Sequence, residues 1–292
     1  MREGLQWDVH GRDWPLRRAS RFVDAGGVRW HVQQLGEGPS VVLVHGTGAA
    51  THSWREFAPL LAEHHRVIAM DLPGHGFTGA LSRADTTLPG VARAVSTLLA
   101  KLKVKPQLVI GHSAGAAILA RMILDGEIAP RGLVSINGAL MPLPGVPGAV
   151  FLPIARALAV NSLAARLFAW RAQEAAAVAR LVSSTGSHID ATGLELYGRL
   201  LQSPAHVIGT LQMMAGWDLA ALERDLGRLA VPLLLLAATR DGTVPPAEAE
   251  RVQAKVPGAR VVHLQGLGHL AHEEKPAEVL KRVLEFAAKT GA

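Results

Sequence analysis

The chain contains no cysteine among its 292 residues. This absence excludes disulfides, thiolate metal sites and a cysteine nucleophile. The P-loop pattern G-x-x-x-x-G-K-[ST] is also absent, which argues against a nucleotide-hydrolysing motor. His269, His272 and Glu273 do not have the H-E-x-x-H spacing of a zinc site, so we predict neither a metal nor a cofactor. The net charge of +6 is spread along the chain without Lys/Arg blocks, and we expect no nucleic-acid partner.

The N-terminal residues 1–21 are polar, with neither the apolar core nor the small-residue cleavage site of a signal peptide. We therefore predict a cytoplasmic protein. The apolar residues 139–160 could span a membrane by length, but four prolines and Arg156 argue against a continuous spanning helix. Two interpretations stay open: a helix and loop that cover the site, or a lid for a large apolar ligand that rests on a membrane surface.

Short apolar runs alternate with segments of helical period along most of the chain. A hairpin with alternating arms comes first, and later runs are apolar throughout, as in strands buried on both faces. This alternation predicts an α/β fold with a mostly parallel central sheet, helices on both faces and an antiparallel edge. The predicted strands are residues 21–25, 28–33, 40–45, 66–70, 133–137, 231–237 and 260–264, the predicted helices are residues 54–62, 88–102, 246–255 and 276–288, and a further strand and helix flank residues 111–115.

The alternation of strand-like runs and helical segments stops between residues 138 and 216, where no strand-like run occurs. This interval begins with several prolines and continues as helical stretches rich in Ala, Leu and Arg. We interpret it as a helical cap inserted into the α/β core. The predicted core is then formed by residues 1–137 and 217–292, and the predicted cap by residues 138–216.

The sequence around Ser113 has the pattern of a nucleophile elbow. A short apolar run from Leu108 leads into G-H-S-A-G at 111–115, and an Ala-rich helical segment follows. In such a turn the serine occupies a strained backbone conformation at the tip. Gly111 and Gly115 flank it because side chains there would meet the neighbouring strand and helix. The pattern predicts that Ser113 is a nucleophile.

A serine nucleophile needs a base, which should follow it in the chain at the end of a strand. His269 lies in a glycine-rich loop directly after the last predicted strand, where it can reach back over the sheet. His263 falls inside a strand pattern, which favours core packing. We set aside the remaining histidines after the elbow, which are His188 and His206 in the cap and His272, whose side chain should point elsewhere. We therefore predict His269 as the base.

The acid that orients the base is predicted to be Asp241, in the turn after the strand of residues 231–237. A turn aspartate can instead cap a neighbouring amide. The alternative acid position, at the end of the strand after the elbow helix, holds Asn137. Because an amide cannot stabilise an imidazolium as a carboxylate does, Asp241 is the better candidate.

The oxyanion of an acyl intermediate needs two backbone N–H donors. One should be the amide of Ala114, directly after the nucleophile. The other should come from H-G-T-G at 45–48, where we favour the Thr47 amide, with Gly48 beside it at the pocket. Four residues in nearby loops are expected to hold those loops by hydrogen bonds rather than to do chemistry: His45, His112, Asp71 and His75.

The substrate pocket has weaker signals, and packing is an alternative for each residue. Trp54 lines the pocket or anchors its helix. Met213, Met214 and Trp217, close together near the exit of the cap, wall an apolar pocket or pack in the core.

Several of these motifs together resemble the α/β-hydrolase fold superfamily. They are HG at 45–46, DLPGHG at 71–76, GHSAG at 111–115, Asp241 and GH at 268–269. Less general pieces resemble the BchO family, the magnesium-chelatase accessory proteins of bacteriochlorophyll biosynthesis. They are WP at 14–15, SRFV at 20–23, HGTGAATHSW at 45–54, GHSAGAAILA at 111–120, SINGAL at 135–140 and GHLAHEE at 268–274.

The second resemblance implies a role near Mg²⁺ insertion into protoporphyrin IX, with magnesium-chelatase subunits as partners. It also implies that a peripheral membrane contact would be with the inner or photosynthetic membrane. It does not say which reaction is catalysed. A porphyrin or its ester would suit a wide apolar pocket, and its carboxylate arms could meet Arg156, Arg166 and Arg171. Two functions therefore stay open. One is an esterase-like serine hydrolase (EC 3.1) acting on a large apolar ester or related acyl substrate, and the other is a non-catalytic porphyrin carrier or chelatase accessory protein on the same scaffold.

Overall fold

The computed structural model describes residues 4–142 and 174–292. Its centre is an eight-stranded sheet in the order β1-β2-β4-β3-β5-β6-β7-β8. The strands are β1 Ser20–Ala25, β2 Val28–Leu35, β3 Ser40–Val44, β4 Arg66–Met70, β5 Leu108–His112, β6 Gly132–Ile136, β7 Leu233–Ala238 and β8 Arg260–Leu264. The two pairs made by β2, with β1 and with β4, are antiparallel, and all other pairs are parallel. The predicted parallel sheet with an antiparallel edge is confirmed.

Helices cover both faces of the sheet. Those in the described part of the chain are α1 Trp7–His10, α2 Phe57–Leu61, α3 Leu88–Lys101, α4 Ala114–Leu124, α5 Ala175–Ser184, α6 Ala191–Leu201, α7 Pro204–Ala215, α8 Leu219–Asp225, α9 Ala247–Lys255, α10 Ala271–Glu274 and α11 Pro276–Thr290. No helix among the described residues is long and apolar enough to cross a bilayer.

The alternation of side chains along β3 divides the core into two layers. Val42 and Val44 belong to one apolar cluster, which includes residues of α3 and α4. Val41 and Leu43 point the other way into a second cluster, which includes residues of α2 and α11. All four side chains are fully buried. A strand covered on both faces must be apolar at every position, which explains the continuous run in the sequence.

Two details of the predicted elements were wrong. The segment expected to form one helix over residues 54–62 is a 3₁₀ turn, Thr51–Trp54, followed by the short helix α2. His263 was expected to pack in the core, but it is exposed and its Nε2 lies 2.8 Å from Glu250 Oε1. The reason is that β8 ends the sheet and pairs with β7 alone, so its side chains are less covered.

The chain between β6 and β7 contains helices and no strand within the residues described there, which are 137–142 and 174–232. The helices α5, α6 and α7 lie in the interval predicted as a cap. Part of that interval, residues 143–173, lies outside the described residues, so the cap boundaries at 138 and 216 stay predictions. The parallel strands place the predicted site together, because the loops that follow β3, β5, β7 and β8 leave the same edge of the sheet.

Candidate active site

The turn at Ser113 has the backbone strain of an elbow. Ser113 has φ 50° and ψ −117°, a conformation that a non-glycine residue adopts at a cost. A Cβ on Gly111 would lie 2.4 Å from the Ala116 nitrogen, and one on Gly115 would lie 2.1 Å from the Val44 carbonyl oxygen. Neither position has room for a side chain. The two glycines therefore let β5 turn into α4 within one residue.

The elbow is fixed from both sides. The Ser113 N–H donates to the Ile136 carbonyl at 3.0 Å, and the Ala139 N–H donates to the Ser113 carbonyl at 3.1 Å. On the other side, a Cβ on Gly46 would lie only 3.0 Å from the Ser113 Cβ. The loop after β3 thus runs directly against the serine.

The predicted base and acid are in contact. His269 Nδ1 lies 2.7 Å from Asp241 Oδ2, and both side chains are buried. The other carboxylate oxygen of Asp241 accepts the amides of Thr243 and Val244 at 2.7 and 2.9 Å. Because the carboxylate accepts the Nδ1–H, the proton-accepting lone pair of the imidazole is on Nε2. This is the tautomer that a general base for a serine requires.

The backbone of His269 is also held. Its carbonyl accepts the Asn137 side-chain amide at 2.8 Å and His112 Nε2–H at 2.9 Å. The imidazole of His112, the residue before Ser113, has its centroid 4.7 Å from that of His269. The base loop therefore stands over the elbow. The predicted role of His112 in holding a loop is confirmed.

Asn137 does more than the sequence suggested. Its Nδ2 donates to the carbonyls of Gly268 and His269, and its Oδ1 accepts the Ala238 N–H at 2.8 Å. It joins the ends of β6 and β7 to the base loop. The sequence argument weighed Asn137 only as an acid. A signal was present, since an asparagine directly after a buried strand often takes a left-handed conformation, and its φ is 47°.

The loop that should supply the second oxyanion donor is braced by histidines. His45 Nδ1–H donates to the Gly46 carbonyl at 2.7 Å, and His45 Nε2 accepts the Leu72 amide at 2.9 Å. His206, from α7, donates its Nε2–H to the Gly48 carbonyl at 3.1 Å. Burial lowers the pKa of His206 to about 4, so it is neutral at physiological pH. The assignment of Thr47 and Ala114 as donors stays a prediction.

Comparison with known proteins agrees with the fold. Residues 39–276 match the family model described as the alpha/beta hydrolase fold. The chain belongs to the α/β-hydrolase fold family.

Individual relatives of this α/β-hydrolase chain differ in their names. It is 40% identical over 263 residues to the magnesium-chelatase 30 kDa subunit of Rhodobacter capsulatus, covering 89% of this chain and 92% of that one. An alpha/beta hydrolase fold protein from Burkholderia ambifaria superposes with a TM-score of 0.76 at 26% identity, covering 91% and 97% of the two chains. An enol-lactonase from Burkholderia xenovorans LB400 has a TM-score of 0.74 at 20% identity, covering 92% and 100%, which speaks for the fold alone.

The predicted pocket residues are not equally placed in this α/β-hydrolase structure. Trp54 is fully buried, with ring centroids 4.5 Å from His272 and 5.6 Å from Phe57, so it anchors its turn in the core. Met213 is buried in a core cluster as well. Met214 and Trp217 are half-buried. Arg156, Arg166 and Arg171 lie outside the described residues. The pocket as a whole stays a prediction.

Two hydrogen-bonded arrays beside the site connect distant parts of the chain, and the sequence analysis recognised only Asp71 among their members. In the first, Arg55 donates to Glu273 at 2.8 Å and to Asp190 at 2.7 Å, and Tyr197 donates to the other Glu273 oxygen at 2.8 Å. Burial raises the pKa of Glu273, against the pull of Arg55. The array connects α6 to α10, the short helix after the base. Residues so far apart in sequence leave no local pattern.

The second array is centred on Asp71, whose carboxylate accepts the amides of Thr51 and Phe77 at 2.7 and 2.9 Å and lies 2.9 Å from His31 Nδ1. Burial alone would raise the pKa of Asp71, but His31, His45 and the Phe77 amide outweigh it and hold that pKa below its usual value. His31 Nε2 in turn accepts from Ser20 Oγ at 3.0 Å. The predicted hydrogen-bonded role of Asp71 is confirmed.

The residues described here form no metal centre. Within residues 4–142 and 174–292, no three His, Asp or Glu side chains converge as metal ligands would. Four buried histidines beside the site instead bind backbone groups or neighbouring side chains, and they are His45, His112, His206 and His272.

Proposed function

We propose that the chain is a serine hydrolase in which Ser113 is the nucleophile, His269 the general base and Asp241 the residue that orients the base. The observation that carries this proposal is the 2.7 Å contact between Asp241 and His269, in the tautomer that leaves Nε2 basic, next to a strained serine turn. A strained serine turn alone does not support hydrolysis. The serine turn together with an oriented histidine does support it.

The mechanism follows from these roles. Ser113 Oγ attacks the carbonyl carbon of an ester while His269 Nε2 takes the hydroxyl proton. The carbonyl oxygen becomes an oxyanion, which the amides of Thr47 and Ala114 stabilise. His269 then gives its proton to the leaving alkoxide as the C–O bond breaks. Water, deprotonated by His269, hydrolyses the acyl-enzyme and restores Ser113.

For the substrate we propose a large apolar ester or related acyl compound in bacteriochlorophyll biosynthesis, near the magnesium-chelatase step. The similarity to a magnesium-chelatase subunit supports this context. A porphyrin ester has the size and polarity that an apolar cap over Ser113 would suit. Chelatase subunits are the proposed partners, and contact of the cap with a membrane surface belongs to the same proposal.

A second candidate is a non-catalytic porphyrin carrier or chelatase accessory protein. It is favoured by one observation: the relative at 40% identity is named as a chelatase subunit, and that name includes no hydrolase activity. A hydrolase scaffold does not by itself require hydrolysis.

Labelling with a fluorophosphonate probe distinguishes the two. We expect the probe to modify Ser113 in the natural protein, with the modified peptide located by mass spectrometry. Ser113→Ala should lose both the label and turnover of a short p-nitrophenyl ester. Ser20→Ala is the matched control: Ser20 also bonds to a histidine–aspartate pair, but it lies in the extended strand β1 rather than at an elbow.

Three outcomes count against hydrolysis. They are an unlabelled natural protein, a label on Ser20 alone, and ester turnover unchanged in Ser113→Ala. An unlabelled protein that nevertheless binds protoporphyrin IX saturably in an absorbance titration would favour the carrier.

A further inference from the structure

A short segment of the cap lies between the two loops that carry Asp241 and His269. We call residues 185–187, between α5 and α6, the strap. The Thr185 carbonyl accepts two amides, that of Gly242 at 3.0 Å and that of His269 at 3.2 Å. One oxygen atom therefore ties the residue after the acid to the base itself.

The next two strap residues reinforce this link. Ser187 is buried, and its Oγ accepts the Leu270 N–H at 2.8 Å, so the amides of His269 and Leu270 are both bound by the strap. Gly186 has φ +80°, and a Cβ there would lie 1.8 Å from the Arg240 carbonyl oxygen. A Cβ on Gly268 would lie 2.3 Å from the Gly186 carbonyl carbon. The strap is in direct backbone contact with both loops.

Its downstream end is anchored by charge. Asp190 caps α6 by accepting the Gly193 amide at 2.7 Å, and it also receives Arg55. Arg55 binds Glu273, which belongs to the helix that begins two residues after His269. The cap and the base loop thus share one buried arginine. A movement of the strap away from the base would have to break this ion pair as well.

We propose that the strap is a positioning element of the active site: through the Thr185 carbonyl and Ser187 Oγ it holds the acid loop and the base loop at the spacing at which Asp241 meets His269. This inference rests on the proposed function. The core alone connects the two loops on one side, through Asn137 and through the Arg240 amide bound to the Leu267 carbonyl at 2.8 Å. The strap connects the same two loops on the other side. Asp241 and His269 therefore keep their spacing only when this part of the cap is in place.

Ser187→Ala tests this, because it removes the acceptor of the Leu270 amide and leaves the catalytic residues intact. For the hydrolysis of p-nitrophenyl butyrate we expect kcat to fall about tenfold or more while KM stays within about twofold, since a small displacement of a catalytic group slows the chemical step. Ser187→Thr keeps the hydroxyl and should restore kcat. Ser184→Ala is the matched control, because the Ser184 hydroxyl is exposed and donates to the Leu181 carbonyl in α5.

A second variant covers the case in which Ser187→Ala does not fold. Asp190→Ala loosens the anchor while the strap sequence stays intact, and it should lower kcat in the same manner by a smaller factor. Each assay is run at a temperature where a thermal melt shows the variant folded. A kcat in both variants equal to that of the natural protein would overturn the inference.

A readout that does not need turnover separates this inference from the proposed function. The Nδ1 proton shared by His269 and Asp241 should give a low-field proton resonance in NMR spectra, assigned by its loss in Asp241→Asn. We expect Ser187→Ala to shift or broaden this resonance and Ser184→Ala to leave it in place. An unchanged resonance in Ser187→Ala overturns the strap, whatever the esterase result. A natural protein without Ser113-dependent turnover overturns the hydrolase instead.

Discussion

At the scale of single residues, the proposed chemistry depends on one oxygen atom of Asp241. Asp241→Asn keeps the shape of the side chain and an oxygen for the amides of Thr243 and Val244. It loses the charge that stabilises an imidazolium, and its amide can force His269 into the opposite tautomer. By comparison with other triads, we expect ester turnover to fall by about 10³–10⁴-fold.

The control for this change is Asp218→Asn. Asp218 is exposed and caps α8 by accepting the amides of Ala220 and Ala221 at 3.0 and 3.2 Å, a role that asparagine also fills. Turnover and melting temperature should stay near those of the natural protein. An Asp241→Asn variant with full kcat would mean that His269 is oriented by its backbone contacts alone.

Sequence reasoning assigned roles to the residues that lie in a local pattern, and those roles stay predictions. Ser113 lies in a turn that only glycine neighbours permit, and Asp241 and His269 follow strands whose apolar runs are easily recognised. The role of Asn137 was not recognised, and His112 was expected to hold a loop without its partner being known, because both bind the carbonyl of His269, 132 and 157 positions away. Contacts of this kind arise from the order of strands in the sheet, and that order cannot be recognised in one amino-acid sequence.

At the scale of elements, the buried ion pair of Arg55 and Glu273 connects α6 to the core, because Arg55 also binds Asp190 and Glu273 accepts from Tyr197. The Glu273 side chain is fully buried, so Arg55→Ala would leave its carboxylate without a cation in a site shielded from water. We expect a loss of about 3–5 kcal/mol in the free energy of unfolding, measured by urea denaturation. Arg228→Ala, at an exposed ion pair with Asp225, should cost less than about 1 kcal/mol.

The double variant Arg55→Met with Glu273→Gln sharpens this test. It removes both charges at once, so it should be more stable than Arg55→Ala alone. If Arg55→Ala unfolds at the same urea concentration as the natural protein, the ion pair does not hold the helix.

The strands themselves were predictable to within a few residues, including the edge strand β8. The strand β8 was located at residues 260–264, as observed. The error over His263 concerns burial rather than position. Apolar neighbours in sequence indicate a strand, but whether its faces are covered depends on the strand's place in the sheet, and β8 is at an edge.

At the scale of the whole molecule, the histidines predict how stability responds to acid. Burial lowers the pKa of His206 to about 4 and that of His272 to about 3. Burial also lowers the pKa values of four others, which are His45, His52, His75 and His112. In the unfolded chain these groups return to a pKa of about 6.5. Below that pH the unfolded state therefore binds protons at these histidines that the folded state does not bind.

The direction of the pH dependence follows from this difference in pKa between the folded and unfolded states. Stability due to the buried neutral histidines is complete above about pH 6.5, and it declines as the pH falls toward 4 and then 3. For His206 alone, the pKa is about 6.5 in the unfolded chain and about 4 in the folded one, which corresponds to a loss of roughly 3 kcal/mol in the free energy of unfolding by pH 4. Asp71 affects stability only at lower pH. Because its pKa is lower in the folded state, its contribution to the stability of the folded state is lost only below about pH 3.8. The interval from pH 6.5 to 4 therefore reports mainly on the histidines, opposed in part by Glu273, whose pKa is raised by burial.

Urea denaturation between pH 7.5 and 4.5 measures this dependence. We expect the free energy of unfolding to fall steadily over that interval in the natural protein. His206→Gln can still donate to the Gly48 carbonyl but cannot be protonated, so its curve should be flatter. His64→Gln, at an exposed position, should reproduce the natural slope. A stability that is constant from pH 6.5 to 4.5 would contradict the burial of these rings as neutral groups, and with it the packing of α7 against the loop that carries Thr47.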